Sequence, residues 1–172
     1  MKKFIFSPFQ ENTYVVWDSE SKQAAVIDPG CYDETEKNKL KDFIYHNKLD
    51  LKILFNTHCH IDHIFGNKFI MDNFKPLFYA PEKDIPLLEN MPEQAKLFQL
   101  TVDESPKPDF YITEELEVTI GDLIASFIFT PGHTPGEYSI LFKNVNICFT
   151  GDVLFFEGIG RTDLWGGDYD TL

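Results

Sequence analysis

The histidines of this chain are concentrated in one short stretch. Three of the five, His58, His60 and His63, lie within six positions, and Asp62 stands between the second and the third. Side chains two residues apart in an extended chain project to the same side, so His58 and His60 are expected to face a common point. Neutral imidazole and carboxylate are ligands that suit zinc, iron or manganese. The spacing therefore predicts a metal site.

This stretch lies between a predicted strand and a predicted helix. Residues 51–56 are apolar and partly β-branched, which favours a buried strand, and residues 64–74 carry apolar side chains typical of a short helix. Asp62 and His63 are then expected at the turn into that helix, where the first backbone N–H groups favour a carboxylate. The candidate ligands would therefore lie on a strand-to-helix loop.

Two later motifs carry further candidate ligands. Residues 130–136 contain two Pro-Gly pairs, which predict a rigid turn with His133 at its centre. This histidine follows the first group at a distance of about seventy residues. Residues 147–152 predict a buried strand that ends in Gly151 and Asp152, and the glycine would let the carboxylate approach a site closely.

Together these motifs resemble the metallo-β-lactamase superfamily. The resemblance rests on His-x-His-x-Asp-His, Pro-Gly-His, Gly-Asp and the Gly-x-Gly-Arg-Thr-Asp run at residues 158–163, and it covers essentially the whole chain. The glyoxalase II-like, or hydroxyacylglutathione hydrolase-like, branch is the most similar. The resemblance implies that Asp28 lies near the metals and supports the site. The sequence Asp28-Pro29-Gly30 by itself fits a simple turn equally well. The resemblance implies six metal ligands: His58, His60 and His133 for one metal, Asp62 and His63 for a second, and Asp152 bridging both.

The resemblance also implies one more histidine for the second metal, in a Pro-Gly-His motif further along the chain. The only histidine left over is His46, which lies in a predicted surface helix without a motif around it. The second metal site is therefore expected to be incomplete, and the chain is expected to lack the C-terminal end of the family fold.

The order of predicted elements favours an α/β (α+β) fold. A first group of three strands, several helices and a second group of four strands suggest two similar halves within a single domain over residues 1–172. This order predicts a four-layer αββα sandwich of the metallo-β-lactamase type, with the ligand loops along one edge. The predicted strands and the first helix cover residues 3–6, 12–18, 23–28, 35–48 (helix), 51–56, 77–80, 116–120, 123–129, 138–143 and 146–150.

Composition excludes several classes of partner. The net charge of −13 opposes binding to nucleic acid or to an anionic membrane, because either would need a basic surface. No apolar run is long enough for a signal peptide or a membrane span. Three widely spaced cysteines, Cys31, Cys59 and Cys148, fit free thiols in a reducing cytosol better than a disulfide framework. A cytoplasmic location is therefore expected.

The ligand set predicts hydrolysis. Two metal ions that share a water lower its pKa, so a metal-bound hydroxide could attack an acyl carbon while Asp62 orients it and takes its proton. A thiol with a pKa of about 8.5 leaves without much help from an acid, which favours a thioester. The resemblance points to a small-molecule thioester such as a hydroxyacyl-glutathione. Two divalent ions are expected, zinc first, with iron or manganese as alternatives.

Arg161 is the candidate for substrate binding. Its planar fork could hold a substrate carboxylate, or it could brace its own loop through an ion pair with Asp163 or Asp168. Both roles fit the sequence.

Two other functions fit the same residues. A persulfide dioxygenase would hold a single iron through His58, His133 and Asp152, and a non-catalytic metal-binding module would need no turnover. The physiological substrate, the native metal and the oligomeric state do not follow from the sequence.

Overall fold

The computed structural model describes all residues, 1–172, and contains two β-sheets. The first sheet has six strands in the order β1-β2-β3-β4-β5-β6, and the second has four in the order β10-β9-β8-β7. A separate hairpin pairs β11 with β12. The strands are β1 Lys2–Phe6, β2 Glu11–Trp17, β3 Gln23–Ile27, β4 Asp50–Phe55, β5 Leu77–Ala80, β6 Phe110–Tyr111, β7 Glu117–Ile120, β8 Leu123–Phe129, β9 Tyr138–Phe142, β10 Ile147–Phe149, β11 Leu154–Phe155 and β12 Gly158–Ile159.

Five α-helices lie between residues 34 and 97. They are α1 Glu34–His46, α2 Ile61–Ile64, α3 Asn67–Phe74, α4 Ile85–Glu89 and α5 Met91–Leu97, and short 3-10 turns cover Glu82–Asp84 and Lys143–Val145. Asp33 caps α1, because its side chain accepts a hydrogen bond from the Glu36 backbone N–H at 2.8 Å. None of these helices has the length and apolar character that crossing a lipid bilayer requires.

The two cores lie on opposite faces of the first sheet. Along β3, Ala24 and Val26 pack with the helices, whereas Ala25 and Ile27 pack against the second sheet. This division follows from the alternation of side chains in a strand. Between the sheets, the rings of Phe55 and Phe127 meet edge to face at 5.5 Å. Strand β4, which leads into the histidine stretch, is therefore buried on both faces.

The structure confirms the α/β class with two facing sheets, and it places the α-helices on one side of the pair of sheets. Within residues 1–172 no α-helix covers the outer face of the second sheet, where Ile124 and Ile128 are 40% and 42% exposed. The helices all lie on the first sheet. After β10 the chain forms a hairpin and turns, so three of the four expected layers are present.

One predicted helix is divided in the structure. The helix expected over residues 64–74 corresponds to α3, Asn67–Phe74, except that its first residue, Ile64, ends the separate short helix α2 and that Phe65 and Gly66 lie between the two helices. The Gly66 N–H donates to the Pro29 carbonyl at 2.6 Å, and a Cβ atom at Gly66 would lie 2.5 Å from the Cys31 sulfur. The close approach of the Pro29 turn therefore interrupts the helical path. Asp62 and His63 were expected at the turn before the helix, but they lie inside α2.

Candidate metal centre

Two loops bring three buried imidazoles together. Residues 56–60 carry His58 and His60 from the end of β4, and residues 130–137 carry His133 between β8 and β9. One potential ligand atom from each histidine lies within 4.8 Å of the other two. The Nδ1 atom of His60 is 2.8 Å from the Nε2 atom of His133. We call these three residues the first cluster.

A second cluster lies beside the first. His58, His63 and Asp152 also bring potential ligand atoms within 4.8 Å of one another. The Asp152 carboxylate lies between two rings, 3.3 Å from His63 Nε2 and 3.5 Å from His133 Nε2. Asp62 is adjacent, with Oδ2 at 3.8 Å from His63 Nε2. The structure thus brings all six predicted ligands into one place, with Asp152 between the two groups.

Protein oxygens lie beside the outer ring nitrogens of three histidines. His133 Nδ1 is 2.6 Å from the Arg161 carbonyl oxygen, and His58 Nδ1 is 3.1 Å from the Thr57 hydroxyl. His63 Nδ1 is 3.2 Å from an oxygen of Asp28. Such contacts orient metal-binding histidines and direct the other nitrogen toward the ion. The Nε2 atoms of His133 and His63 then face the clusters, where they lie beside the Asp152 carboxylate.

The first cluster fits a divalent cation. His58 Nε2 is buried and has no hydrogen-bond partner, and His60 Nδ1 meets His133 Nε2 without another acceptor between them. Burial lowers the pKa of His60 to about 3, and burial also lowers the pKa of His58 and of His133. The imidazoles are therefore neutral near pH 7, which is the form that binds metal.

The surroundings of His63 also favour positive charge. Burial by itself would lower the pKa of His63, but the carboxylates of Asp62 and Asp28 outweigh it and raise that pKa well above its ordinary value. Groups that stabilise an imidazolium at this point would equally stabilise a bound cation.

Asp28 has the contacts of a supporting residue. It adopts φ +48° in the turn after β3 and is only 3% exposed. Its carboxylate accepts hydrogen bonds from the Thr57 backbone N–H at 2.8 Å and from the Thr57 hydroxyl at 2.7 Å. Asp28 thus holds the residue before His58 and also faces His63. Of the two alternatives that the sequence left open, the supporting one matches these contacts.

Glu137 and Asp84 are buried carboxylates near the clusters that the sequence did not single out. Glu137 accepts a hydrogen bond from the Asp152 backbone N–H at 2.7 Å, and the same oxygen is 3.4 Å from His58 Nδ1. Asp84 accepts hydrogen bonds from both ligand loops. Neither residue belongs to a recognisable motif. The only hint was the position of Glu137 directly after the second Pro-Gly pair.

The Gly-x-Gly-Arg-Thr-Asp run contacts the site through its backbone. A Cβ atom at Gly160 would collide with the Asp152 carbonyl oxygen, so only glycine lets the chain pass there. This path brings the Arg161 carbonyl to His133. The Arg161 guanidinium instead pairs with Asp163, with two contacts of 2.7 Å. The structure therefore forms the bracing ion pair, and the substrate-binding role of Arg161 stays a prediction.

A cavity of about 480 Å³ opens onto the second cluster. Asp62, His63 and Asp152 line one part of it, and the rings of Tyr14 and Phe149 line another. The lining residues do not include Arg161. A small molecule in this space would lie against the carboxylates of Asp62 and Asp152.

Paired sheets with ligand loops at one edge, and a cluster of histidines and carboxylates on those loops, define a metal-dependent hydrolase fold. The chain belongs to the metallo-beta-lactamase superfamily, whose sequence profile matches residues 6–172. It is 39% identical to the hydroxyacylglutathione hydrolase GloC of Haemophilus influenzae over 166 residues, which cover 95% of this chain and 76% of the relative. This similarity is consistent with the glyoxalase II-like branch.

Other similarities bear on the fold and on the metal. The crystal structure of BLEG-1 B3 metallo-beta-lactamase superposes with a TM-score of 0.89 at 32% identity, covering 99% of this chain and 80% of that one. A crystal structure of TTHA1623 in a di-iron-bound form superposes with a TM-score of 0.87 at 29% identity, covering 99% of this chain and 81% of that one. The mitochondrial persulfide dioxygenase ETHE1 of Bos taurus is 31% identical, over 93% of this chain and 54% of its own length.

Replacing His133 with alanine should remove the metal from the first cluster, because His58, His60 and the shared Asp152 carboxylate would be left without their third imidazole. Metal per chain, measured by atomic emission after dialysis, should fall for His133→Ala. His46→Ala is the matched control, since that ring lies exposed on α1 beside the Asp42 carbonyl. Full metal content in His133→Ala would contradict the assignment.

Proposed function

We propose that this protein is a metal-dependent hydrolase that cleaves a small-molecule thioester such as a hydroxyacyl-glutathione. The observation that carries the proposal is the convergence of four buried imidazoles and two carboxylates on adjacent clusters beside a cavity. The similarity to a hydroxyacylglutathione hydrolase supports the choice of substrate class.

The proposed ligands follow the two clusters. His58, His60 and His133 would hold one ion, Asp62 and His63 would hold a second, and Asp152 would contact both. Divalent ions bound there would lower the pKa of water and polarise a carbonyl group. Zinc suits these imidazole and carboxylate ligands, and iron is the alternative that the di-iron form of TTHA1623 favours.

The residues of the chain would orient the reactants and move the proton. The Asp62 carboxylate lines the cavity close to His63, so it could orient the attacking water and accept its proton. Asp28 and the Arg161 carbonyl would keep His63 and His133 aimed at the ions. The leaving thiol, with a pKa of about 8.5, would need no strong acid. The proposed reaction therefore needs Asp62 as a base but no residue that acts as a general acid.

The test compares metal content with turnover. The protein is loaded with zinc or with iron, and hydrolysis of S-lactoylglutathione and of simple aryl esters is followed by absorbance. We expect metal-dependent hydrolysis of the thioester that is lost on dialysis against a chelator and restored by metal. A protein with its metals bound that cleaves no thioester and no ester would contradict the hydrolase.

A persulfide dioxygenase is the second candidate. The similarity to the ETHE1 dioxygenase favours it, and a single iron would then be held by His58, His133 and Asp152. Oxygen uptake by the iron-loaded protein with glutathione persulfide, without thioester hydrolysis, would select this function. Bound metal with neither activity would indicate a non-catalytic metal-binding module.

Three unpaired thiols bear on the compartment. Cys31 and Cys59 are buried, Cys148 is exposed, and none of them forms a disulfide. Free thiols of this kind persist in a reducing environment. We infer that the reaction takes place in the cytosol.

Arg161 should affect substrate binding only if its guanidinium can leave Asp163. Arg161→Ala should then raise the KM for acidic thioesters more than for neutral ones. The matched variant Asp163→Ala frees the guanidinium and should lower the KM for the acidic substrate. Steady-state kinetics with one acidic and one neutral thioester decide between the roles. An equal change for both substrates in Arg161→Ala would support bracing of the loop.

A further inference from the structure

Asp84 is a buried carboxylate to which the proposed chemistry gives no role. It ends the 3-10 turn before α4, and none of its surface is exposed. Burial raises the pKa of its carboxyl group to about 6, against the opposing effect of the hydrogen bonds that it accepts. A carboxylate in this position is costly, so its contacts need an explanation.

All three hydrogen bonds to Asp84 come from the two ligand loops. One oxygen accepts from the Cys59 backbone N–H at 3.2 Å and from the Thr134 hydroxyl at 2.7 Å. The other oxygen accepts from the Gly136 backbone N–H at 2.7 Å. Cys59 lies between His58 and His60 in the chain, and Thr134 directly follows His133. A single side chain therefore joins the loops that carry the first cluster.

The contact between Asp84 and the second loop is close. A Cβ atom at Gly136 would lie 2.6 Å from an Asp84 carboxylate oxygen and 2.9 Å from its backbone nitrogen. Thr134 is fully buried, and Asp84 is the partner of its hydroxyl. An apolar side chain in place of Asp84 would leave three donors without an acceptor. The position of each loop thus depends on this carboxylate.

We propose that Asp84 is a positioning residue for the first cluster, which holds the loop of His58 and His60 against the loop of His133 so that their ring nitrogens converge. The proposal rests on the proposed function, because the first cluster is the proposed site of one metal ion. Residues that orient metal ligands in this way change metal affinity without contacting the metal.

The experiment measures binding of cobalt(II), without substrate, to the metal-free protein through its visible absorption. In Asp84→Asn the amide oxygen can keep Cys59 and Thr134, but its NH₂ group would face the Gly136 N–H. We expect the first cobalt(II) to bind about 10–100-fold more weakly, with a changed ligand-field spectrum. Circular dichroism first establishes that the variant is folded.

A pair of variants at Thr134 gives a graded test. Thr134→Val removes one of the three donors with little change in volume, whereas Thr134→Ser keeps the hydroxyl. We expect a smaller loss of cobalt(II) affinity in Thr134→Val than in Asp84→Asn, and nearly full affinity in Thr134→Ser. Equal affinity in the valine and serine variants would contradict the role of this hydrogen bond.

Ile44→Ala is the control for a loss of stability alone. Ile44 lies on α1, outside both ligand loops, and is fully buried in the core between the helices and the first sheet, so its truncation should lower stability but keep the cobalt(II) affinity and spectrum. Wild-type affinity in folded Asp84→Asn, or an equal loss in Ile44→Ala, would overturn the proposal. A wild-type protein that binds no cobalt(II) would overturn both proposals, whereas one that binds it but cleaves no thioester would overturn only the hydrolase.

Discussion

Replacing Asp62 with asparagine is expected to lower thioester turnover by about 10²–10⁴-fold, the usual contribution of a positioned general base. The amide has nearly the same shape but cannot accept the proton of the attacking water. In the wild type, the Asp62 carboxylate lies 3.8 Å from His63 Nε2 and faces the cavity, which is the position the proposed reaction requires. The kcat and KM for S-lactoylglutathione would be measured with metal per chain determined on the same samples.

The control for Asp62 is Asp72→Asn. Asp72 lies exposed on α3 in an ion pair with Lys68 at 2.8 Å, so its loss should leave turnover unchanged. The free energy of unfolding of Asp62→Asn should stay near that of the wild type. Undiminished turnover in Asp62→Asn at full metal content would show that another group takes the proton.

Replacing Asp28 with alanine is expected to destabilise the metal-free protein by about 3–5 kcal/mol. The change leaves the Thr57 N–H and hydroxyl buried without their acceptor and leaves the Nδ1 atom of His63 without the carboxylate that faces it. Alanine also tolerates the φ of +48° poorly, whereas asparagine adopts this conformation more readily. Urea unfolding of the metal-free proteins, with the midpoint and slope compared, measures the effect.

Asp28→Asn separates the cost of the lost hydrogen bonds from the cost of placing alanine at a positive φ. Its amide oxygen can keep one bond to Thr57, and asparagine tolerates the φ of +48° better than alanine does, so its loss of stability should be clearly smaller than that of the alanine variant. Equal stability of Asp28→Ala and the wild type would contradict the view that this turn supports the ligand loop.

Much of the fold followed from local patterns. Strands β3, β4 and β8 were predictable because apolar and β-branched residues alternate or cluster there between clear turn signals. Their bounds differ from the prediction by a residue or less at most ends. The helix predicted over residues 64–74 was wrong at its start, which lies at Asn67, because the break at Gly66 depends on Pro29 and Cys31, which are distant in the chain.

The sequence by itself determined which side chains could bind metal, since imidazoles and carboxylates at short fixed spacing on a strand-to-helix loop have few other uses. Only the tertiary structure decided how those side chains are held. Asp84 is 25 and 52 positions from Cys59 and Gly136, and the Arg161 carbonyl is 28 positions from His133. Hydrogen bonds across such separations leave no periodic pattern in the chain, because they depend on how whole loops pack.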